Sequence, residues 1–311
     1  MLVSIIMTTY NVEQFIDKTI RCIQQQTYQQ WELIIVDDHS TDATVAHIRK
    51  YLNDSRIKLW ENEKNLGFIL NKNKAFGFAQ GELLTLMDSD DMCAATRIAR
   101  QVAIFKQHPD IMLCATNFQR IDEFDNLLYA NTINEDLVLK DLPNDFPVSY
   151  NNIMFRKQIV ATYGLFDSFF REYHGEDQYW TMKVMCDHPL YFIKDILYSY
   201  RINPNSLTTN LTSPKQLIME DIIAYLKQQR LETGTDDVEQ NNNDTLQNYV
   251  AQLLSNKSLL ADRYRLWAVK AIEQGSMRKA AALLKQSFLL NKWSLPLYKT
   301  LKYYLTKRFL H

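Results

Sequence analysis

Over the first 120 residues, short apolar runs alternate with stretches in which apolar residues recur every three or four positions. The runs predict strands near 2–8, 32–36, 57–61, 83–87 and 111–117. Between them, Phe15, Ile16, Ile20 and Ile23 mark one helix face, and Val45, Ile48 and Leu52 a second. Ala75, Phe78 and Ala79 mark a third, and Ile98, Val102 and Phe105 a fourth that Pro109 closes. Such alternation predicts an α/β fold, a mainly parallel sheet with helices on both faces. After Asp122 the pattern loosens. Residues 122–126 read as a turn, and Pro143 and Pro147 bracket a loop. Strands are expected at 151–155 and 193–200, and a helix at 176–186. Residues 232–246 carry five acids, no base and three consecutive Asn, the composition of a linker or mobile loop. Residues 247–311 read as two or three helices.

Polar residues at the strand ends add chemistry to this pattern. Leu83–Met87 runs straight into Asp88-Ser89-Asp90-Asp91. Carboxylates gathered at a buried strand end are costly without a compensating positive charge. A hard divalent cation, Mg²⁺ or Mn²⁺, sharing its coordination with a phosphate-bearing ligand and water would supply that charge. In open α/β sheets ligands bind at the carboxyl ends of strands. An acidic cap for the following helix is the competing reading. Leu33–Val36 leads in the same way into Asp37-Asp38-His39-Ser40-Thr41-Asp42. There Ser40, Thr41 and Asp42 can cap a helix starting near Ala43, a role that does not need Asp37 and Asp38. Leu2–Met7 leads into Thr8-Thr9-Tyr10-Asn11. Three such ends make one polar rim, which is how a nucleotide pocket is built.

These segments, with Asn65-Leu66-Gly67, Gly81-Glu82, Gly164-x-Phe166-Asp167 and Gly175-Glu176-Asp177-Gln178-Tyr179-Trp180, resemble the family 2 glycosyltransferases of GT-A fold. The resemblance spans about residues 1 to 208. It implies an inverting transfer of a sugar from a nucleoside diphosphate donor, UDP-linked, to a hydroxyl of a glycan or lipid-linked acceptor in bacterial surface-polysaccharide synthesis. Together with the composition of 232–246, it suggests a catalytic domain, 1–231, an acidic linker or loop, 232–246, and a helical region, 247–311. Within the first, residues to about 120 would bind nucleotide and 121–231 the acceptor.

The resemblance also assigns roles. Asp90 is the metal ligand, with Asp88 on the ribose or the same metal, and Asp91 beginning the next helix. Tyr10 offers a stacking face, Asp38 accepts from the uracil imide N–H, and Thr8 lines that pocket. Lys72 stands where the family often has Arg, and supplies point charge rather than a bidentate fork. Asp177 takes the acceptor proton and Glu176 helps to place the acceptor. Acidic first-turn residues of the helix are the alternative for that pair, and a solvated helix lysine is the alternative for Lys72. Tyr200-Arg201-Ile202-Asn203 stands where Tyr-Arg-x-His is common, so Asn203 replaces a His, and Arg201 can pair with phosphate or with a core carboxylate. No GxGxxG, P-loop, HExxH or paired Cys/His spacing occurs, so phosphate must be held by metal and side chains. A Gly-rich basic N-terminal loop, which nucleotidyl transfer would want, is also missing. A nucleotide-sugar-binding or scaffold subunit without activity stays open, given Asn203 and Lys72.

Composition changes this picture little. Hydrophobic residues at 46% and charged ones at 23% are ordinary for a globular protein, and a net charge of −1 gives no sign of nucleic-acid binding. Cys22, Cys93, Cys114 and Cys186 are scattered, and Cys22 and Cys114 read as small core residues, which suits a reducing cytosol. Neither a signal peptide nor a transmembrane run is visible, so a cytoplasmic protein is expected. Charge is uneven, however. From Ser276 to His311 there are eight Lys or Arg and no acid; subtracting them from the total leaves −9 on residues 1–275. Residues 292–311 set Leu297, Tyr298, Leu301, Tyr304 and Leu305 at helical spacing among lysines. That face can lie on the inner surface of the cytoplasmic membrane or pack against the rest of the chain.

Overall fold

The computed structural model describes residues 1–141, 150–202, 213–273 and 276–309. The loop expected between Pro143 and Pro147, and Asn203, lie outside the described residues. Two compact units are present. One comprises Met1–Ser168 with Glu176–Asn210, and the other Phe169–Gly175 with Leu211–His311.

The first unit begins with β1 (Val3–Thr9), α1 (Ile16–Gln24), β2 (Trp31–Asp37), α2 (Thr44–Arg49), β3 (Ile57–Glu61), α3 (Phe68–Phe76) and β4 (Leu83–Leu86). It continues through β5 (Met92–Cys93), α4 (Arg97–Gln107), β6 (Leu113–Ile121), β7 (Leu127–Ala130) and β8 (Leu137–Leu139). It ends with β9 (Ile153–Arg156), α5 (Ile159–Tyr163), α6 (Glu176–Met185) and β10 (Leu190–Arg201). The sheet order is β3-β2-β1-β4-β9-β6-β10-β5, with β7 beside β6 and β8 beside β10. The strands from β3 to β4 are parallel to one another. Beyond β4 the sheet is mixed, because β9 runs antiparallel to both β4 and β6.

The unbroken apolar runs follow from burial on both faces. On one face Val3, Ile5, Met7, Leu33 and Ile35 share a core with Ile16, Ile20 and Ile23 of α1 and Ile98, Val102 and Phe105 of α4. On the other, Phe155 of β9 packs 4.9 Å from Trp180 of α6 and 6.2 Å from Phe76 of α3, ring centre to ring centre. Phe76, not Phe78, is the buried aromatic of α3, and Leu52 lies beyond α2 and is exposed. Cys22 and Cys114 are buried, as expected of small core residues. Gly81 sits so close to β1 that a Cβ there would lie 2.6 Å from the Ser4 nitrogen, which only glycine avoids.

The second unit contains α7 (Met219–Thr233), α8 (Asn243–Ser255), α9 (Lys257–Glu273), α10 (Met277–Leu290) and α11 (Leu295–Phe309). Four helices thus stand where two or three were expected after 247. The acidic stretch 232–246 is folded rather than a solvated linker: it ends α7, starts α8, and buries Asp236 and Asp237 between them. Arg230 answers its charge with ion pairs to Asp236 at 3.2 Å and Glu239 at 2.7 Å. Asp237 accepts from the Tyr225 hydroxyl and from Gln229 Nε2. An acid-rich segment becomes ordered when buried cations and hydroxyls satisfy it. A core of Ala268, Ala271, Ile272, Leu283, Leu284 and Leu297 joins α9, α10 and α11. No helix among the described residues is long and apolar enough to cross a membrane.

Candidate functional site

Parallel pairing brings the carboxyl ends of β1, β2 and β4 to one rim, with Thr8 beside Val36 and Thr9 beside Asp37. Asp37 accepts from the hydroxyls of Thr9 at 2.8 Å and Ser40 at 2.6 Å, and from the Ser40 amide at 2.8 Å. Asn11 Oδ1 accepts from the Thr41 amide at 2.8 Å, tying the first strand end to the second. Asp42 accepts from the Thr44 amide at 3.0 Å, one residue ahead of the Ala43 that caps α2 without a side-chain bond. Thr8 is partly buried, whereas Tyr10 projects from the rim with 50% of its surface exposed.

Asp38 is buried and held by local donors. Its Oδ1 accepts from Asn62 Nδ2 and the Leu66 amide, both at 2.8 Å, and its Oδ2 from the Gly67 amide at 2.9 Å. This latch holds the Asn65-Leu66-Gly67 turn, where Gly67 adopts φ 83°, a conformation suited to glycine. Asn62 also donates to Asn71 Oδ1 at 2.8 Å and accepts from Lys74 Nζ at 2.6 Å. Three bonds leave the carboxylate one further acceptor direction on Oδ2.

The end of β4 is arranged differently. Asp88 and Asp90 are half-buried, whereas Asp91 is sealed. Asp88 Oδ2 accepts from Asn151 Nδ2. Asp91 does not begin a helix: α4 starts at Arg97, and Asp91 accepts from the Arg201 amide at 2.7 Å and from the Tyr198 hydroxyl. With the first turn of α4 six residues further on, Asp91 instead bolts the β4 end to β10. Its backbone carbonyl takes the Thr19 hydroxyl at 2.9 Å. Burial, with the charges of Asp90 and Asp88 added, pushes the Asp91 carboxyl well above the usual carboxylate range. Arg201 is buried too; it donates to the carbonyls of Asp90 and Asp122 and pairs with Asp125 at 2.7 Å. Its partner is therefore a carboxylate in the same unit. Arg97, a buried cation at the start of α4, donates to the Thr85 hydroxyl and to the Asn151 carbonyl.

Lys72 is not a solvated helix lysine. Its ammonium lies 3.7 Å from Glu176 Oε1 and 5.8 Å from the Phe166 ring. Burial works to lower its pKa, but the charges of Asp88, Glu176 and Asp177 outweigh that and hold it above the ordinary lysine value. Glu176 and Asp177 do form the acidic first turn of α6, and they also act on this cation. Burial pushes Glu176 up to about 7, against the pull of Lys72. Burial likewise raises Asp177, whose Oδ1 accepts from the Gln178 amide. Asn73 braces the Gly164–Asp167 turn, exchanging bonds with the Phe166 carbonyl at 2.8 Å and amide at 3.1 Å. His174 falls in the 169–175 segment of the second unit.

The chemistry of this donor set fits a hard cation. Asp88 and Asp90 offer carboxylate oxygens, both half-buried, beside the sealed Asp91 carboxyl that their charges push up. Among the described residues no three His, Cys, Asp or Glu side chains gather around one point, so ligand oxygens and water would complete the shell. Asn151, Tyr198 and Arg97 support the cluster and were not singled out from the sequence. An Asn pair opening a strand is the one signal that could have drawn attention to Asn151.

Comparison with known proteins agrees with this geometry. Residues 4–164 match the model of glycosyl transferase family 2. The UDP-Glc:alpha-D-GlcNAc-diphosphoundecaprenol beta-1,3-glucosyltransferase WfgD of Escherichia coli is 29% identical over 219 residues, 67% of this chain and 80% of that protein. An uncharacterised glycosyltransferase of Haemophilus influenzae is 27% identical, covering 72% and 74%. Among solved structures, S. aureus TarS 1-349 in complex with UDP superposes with a TM-score of 0.62 at 17% identity, covering 95% of this chain and 93% of that one. The mannosyltransferase PcManGT from Pyrobaculum calidifontis, in complex with GDP-Man and Mn²⁺, gives 0.55 at 17% identity, covering 99% and 86%. These structural neighbours share the GT-A fold. The chain belongs to glycosyl transferase family 2.

Proposed function

We propose that this transferase is inverting and metal-dependent, and moves a sugar from a UDP-linked donor to a hydroxyl of a glycan or lipid-linked acceptor. One observation carries the reading. The ammonium of Lys72 lies in the joint field of Asp88, from the β4 cluster, and of Glu176 and Asp177, from α6. A diphosphate-holding group and a proton-accepting pair thus share one cation. The UDP preference draws on the donors named for the E. coli relative and in the TarS complexes, against the GDP-Man of the archaeal neighbour.

Asp90, with Asp88, would hold Mn²⁺ or Mg²⁺. A cation held by these two carboxylates would supply positive charge to stabilise the departing diphosphate. Tyr10 presents its ring to the uracil, Asp38 accepts the imide N–H through its remaining direction, and Thr8 lines the same pocket. Lys72 adds positive charge beside the phosphates. Asp177 removes the acceptor proton and Glu176 orients that hydroxyl. A second reading exchanges these two roles: a carboxyl at about 7 is matched to proton transfer at neutral pH, and it belongs to Glu176.

The test is free UDP release from a UDP-sugar with Mn²⁺, read for wild type, Asp177→Asn and Glu176→Gln. Asp177→Asn should keep UDP affinity near wild type and lose about 10² to 10⁴ in turnover. If it retains more than half of wild-type transfer, the base is Glu176. A wild-type protein that binds UDP but releases none from any UDP- or GDP-sugar is a binding subunit.

A further inference from the structure

We propose that the outer side of the C-terminal helix α11, led by Trp293, seats on an anionic lipid surface. The inner side is already occupied. Leu297 and Tyr304, with Leu301 in part, pack against α9 and α10, so they are not available to a membrane as the sequence pattern had suggested. What remains outside is apolar as well. Trp293 is 82% exposed, Leu295 66%, Tyr298 47% and Leu305 48%. At 3.6 residues per turn, positions 295, 298, 302 and 305 share one side of the helix, away from buried 297, 300 and 304. Lys302 stands within that stripe, and Lys292 and Lys299 flank it.

Charge selects the occupant. From residue 276 to the end there are eight Lys or Arg and no acid. A second copy of this surface would bring like charges together and is disfavoured. A lipid headgroup layer with anionic members answers both features at once. Trp and Tyr rings settle at headgroup level, and lysine stems lie along apolar surface while their ammonium groups reach phosphates. The contact is interfacial, as suits a helix too short and too charged to cross a bilayer. It is independent of which sugar the protein transfers.

Co-sedimentation of the full chain with phosphatidylcholine vesicles, with and without phosphatidylglycerol, tests the proposal. Wild type should pellet with the anionic vesicles at low salt and be released by high salt. Replacing Lys292, Lys299 and Lys302 by Gln should weaken binding about fivefold for each lysine, roughly 100-fold together. Trp293→Ser should weaken it about tenfold. All four side chains are exposed, so circular dichroism and UDP binding should stay at wild-type values. Equal recovery with neutral and anionic vesicles, or undiminished binding by the triple variant, overturns the proposal. So does a wild-type dimer in gel filtration that Trp293→Ser converts to monomer, which gives the surface to a second copy. Binding only to an acidic protein, with no vesicle binding, overturns it as well.

Discussion

At the end of β2, Asp37 and Asp38 are enclosed by donors from nearby in the chain: Thr9, Ser40, Asn62 and the amides of Leu66 and Gly67. At the end of β4, Asp88 and Asp90 stay half-open, and only Asp91 is sealed, by donors from β10. The two ends look alike in sequence, an apolar strand followed by paired acids. One neutralises its charge with the protein's own N–H and O–H groups, so its carboxylates act first as latches. The other keeps two carboxylates half-open, where a cation could reach their oxygens. Exposure of the carboxylates separates the two where residue type does not.

Three substitutions would break or sharpen that distinction. The largest effect is expected at Asp91, whose removal orphans the Arg201 amide and the Tyr198 hydroxyl in a buried place. Asp91→Ala should cost about 2 to 5 kcal/mol, read by urea denaturation. A loss below about 1 kcal/mol would mean that the bolt is not needed to close the β4 end. Next is Asp90→Ala, which should leave the urea midpoint in place and abolish the Mn²⁺-dependent part of UDP binding, a change of roughly 100-fold by calorimetry. Equal UDP affinity in mutant and wild type would remove Asp90 from the site. The smallest effect is expected at Asp38. Asp38→Ala frees Asn62 and the turn amides, which water can reach in part, at about 1 to 2 kcal/mol of stability. It should also lower the preference for UDP over GDP about tenfold in competition. An unchanged preference beside the stability loss would make Asp38 a latch alone.

Much of the first unit could be read from local pattern. The strands fall within a few residues of their expected places because continuous apolar runs report burial on both faces. Lys72, Glu176 and Asp177 could be named from motif spacing, though not their shared field, which depends on α3 and α6 meeting across the unit. Asp91 was misread because its partners lie more than a hundred residues away, and a helix cap is the nearest local use for an acid after a strand. The acidic stretch 232–246 was misread for a related reason: composition says nothing of Arg230 folding back on it. The C-terminal helix was legible as amphipathic, but which apolar residues faced inward depended on α9 and α10.

The bolt at Asp91 also sets an order of events during synthesis. Its receiving amide, that of Arg201, lies 110 residues further along the chain. At roughly 5 to 20 residues per second, translation supplies that amide on the order of 5 to 20 seconds after Asp91 itself. For that interval β1 to β4 can pair with one another, although β9, the antiparallel partner of β4, is made only part-way through it. The acidic end of β4 cannot be sealed, and its carboxylates must stay in water. A nascent chain halted before residue 198 would hold the parallel half of the sheet with an unfinished rim. Ligand-binding capacity should therefore arise late and abruptly as the chain lengthens, once β10 closes over β6 and delivers the Tyr198 hydroxyl and the Arg201 amide together.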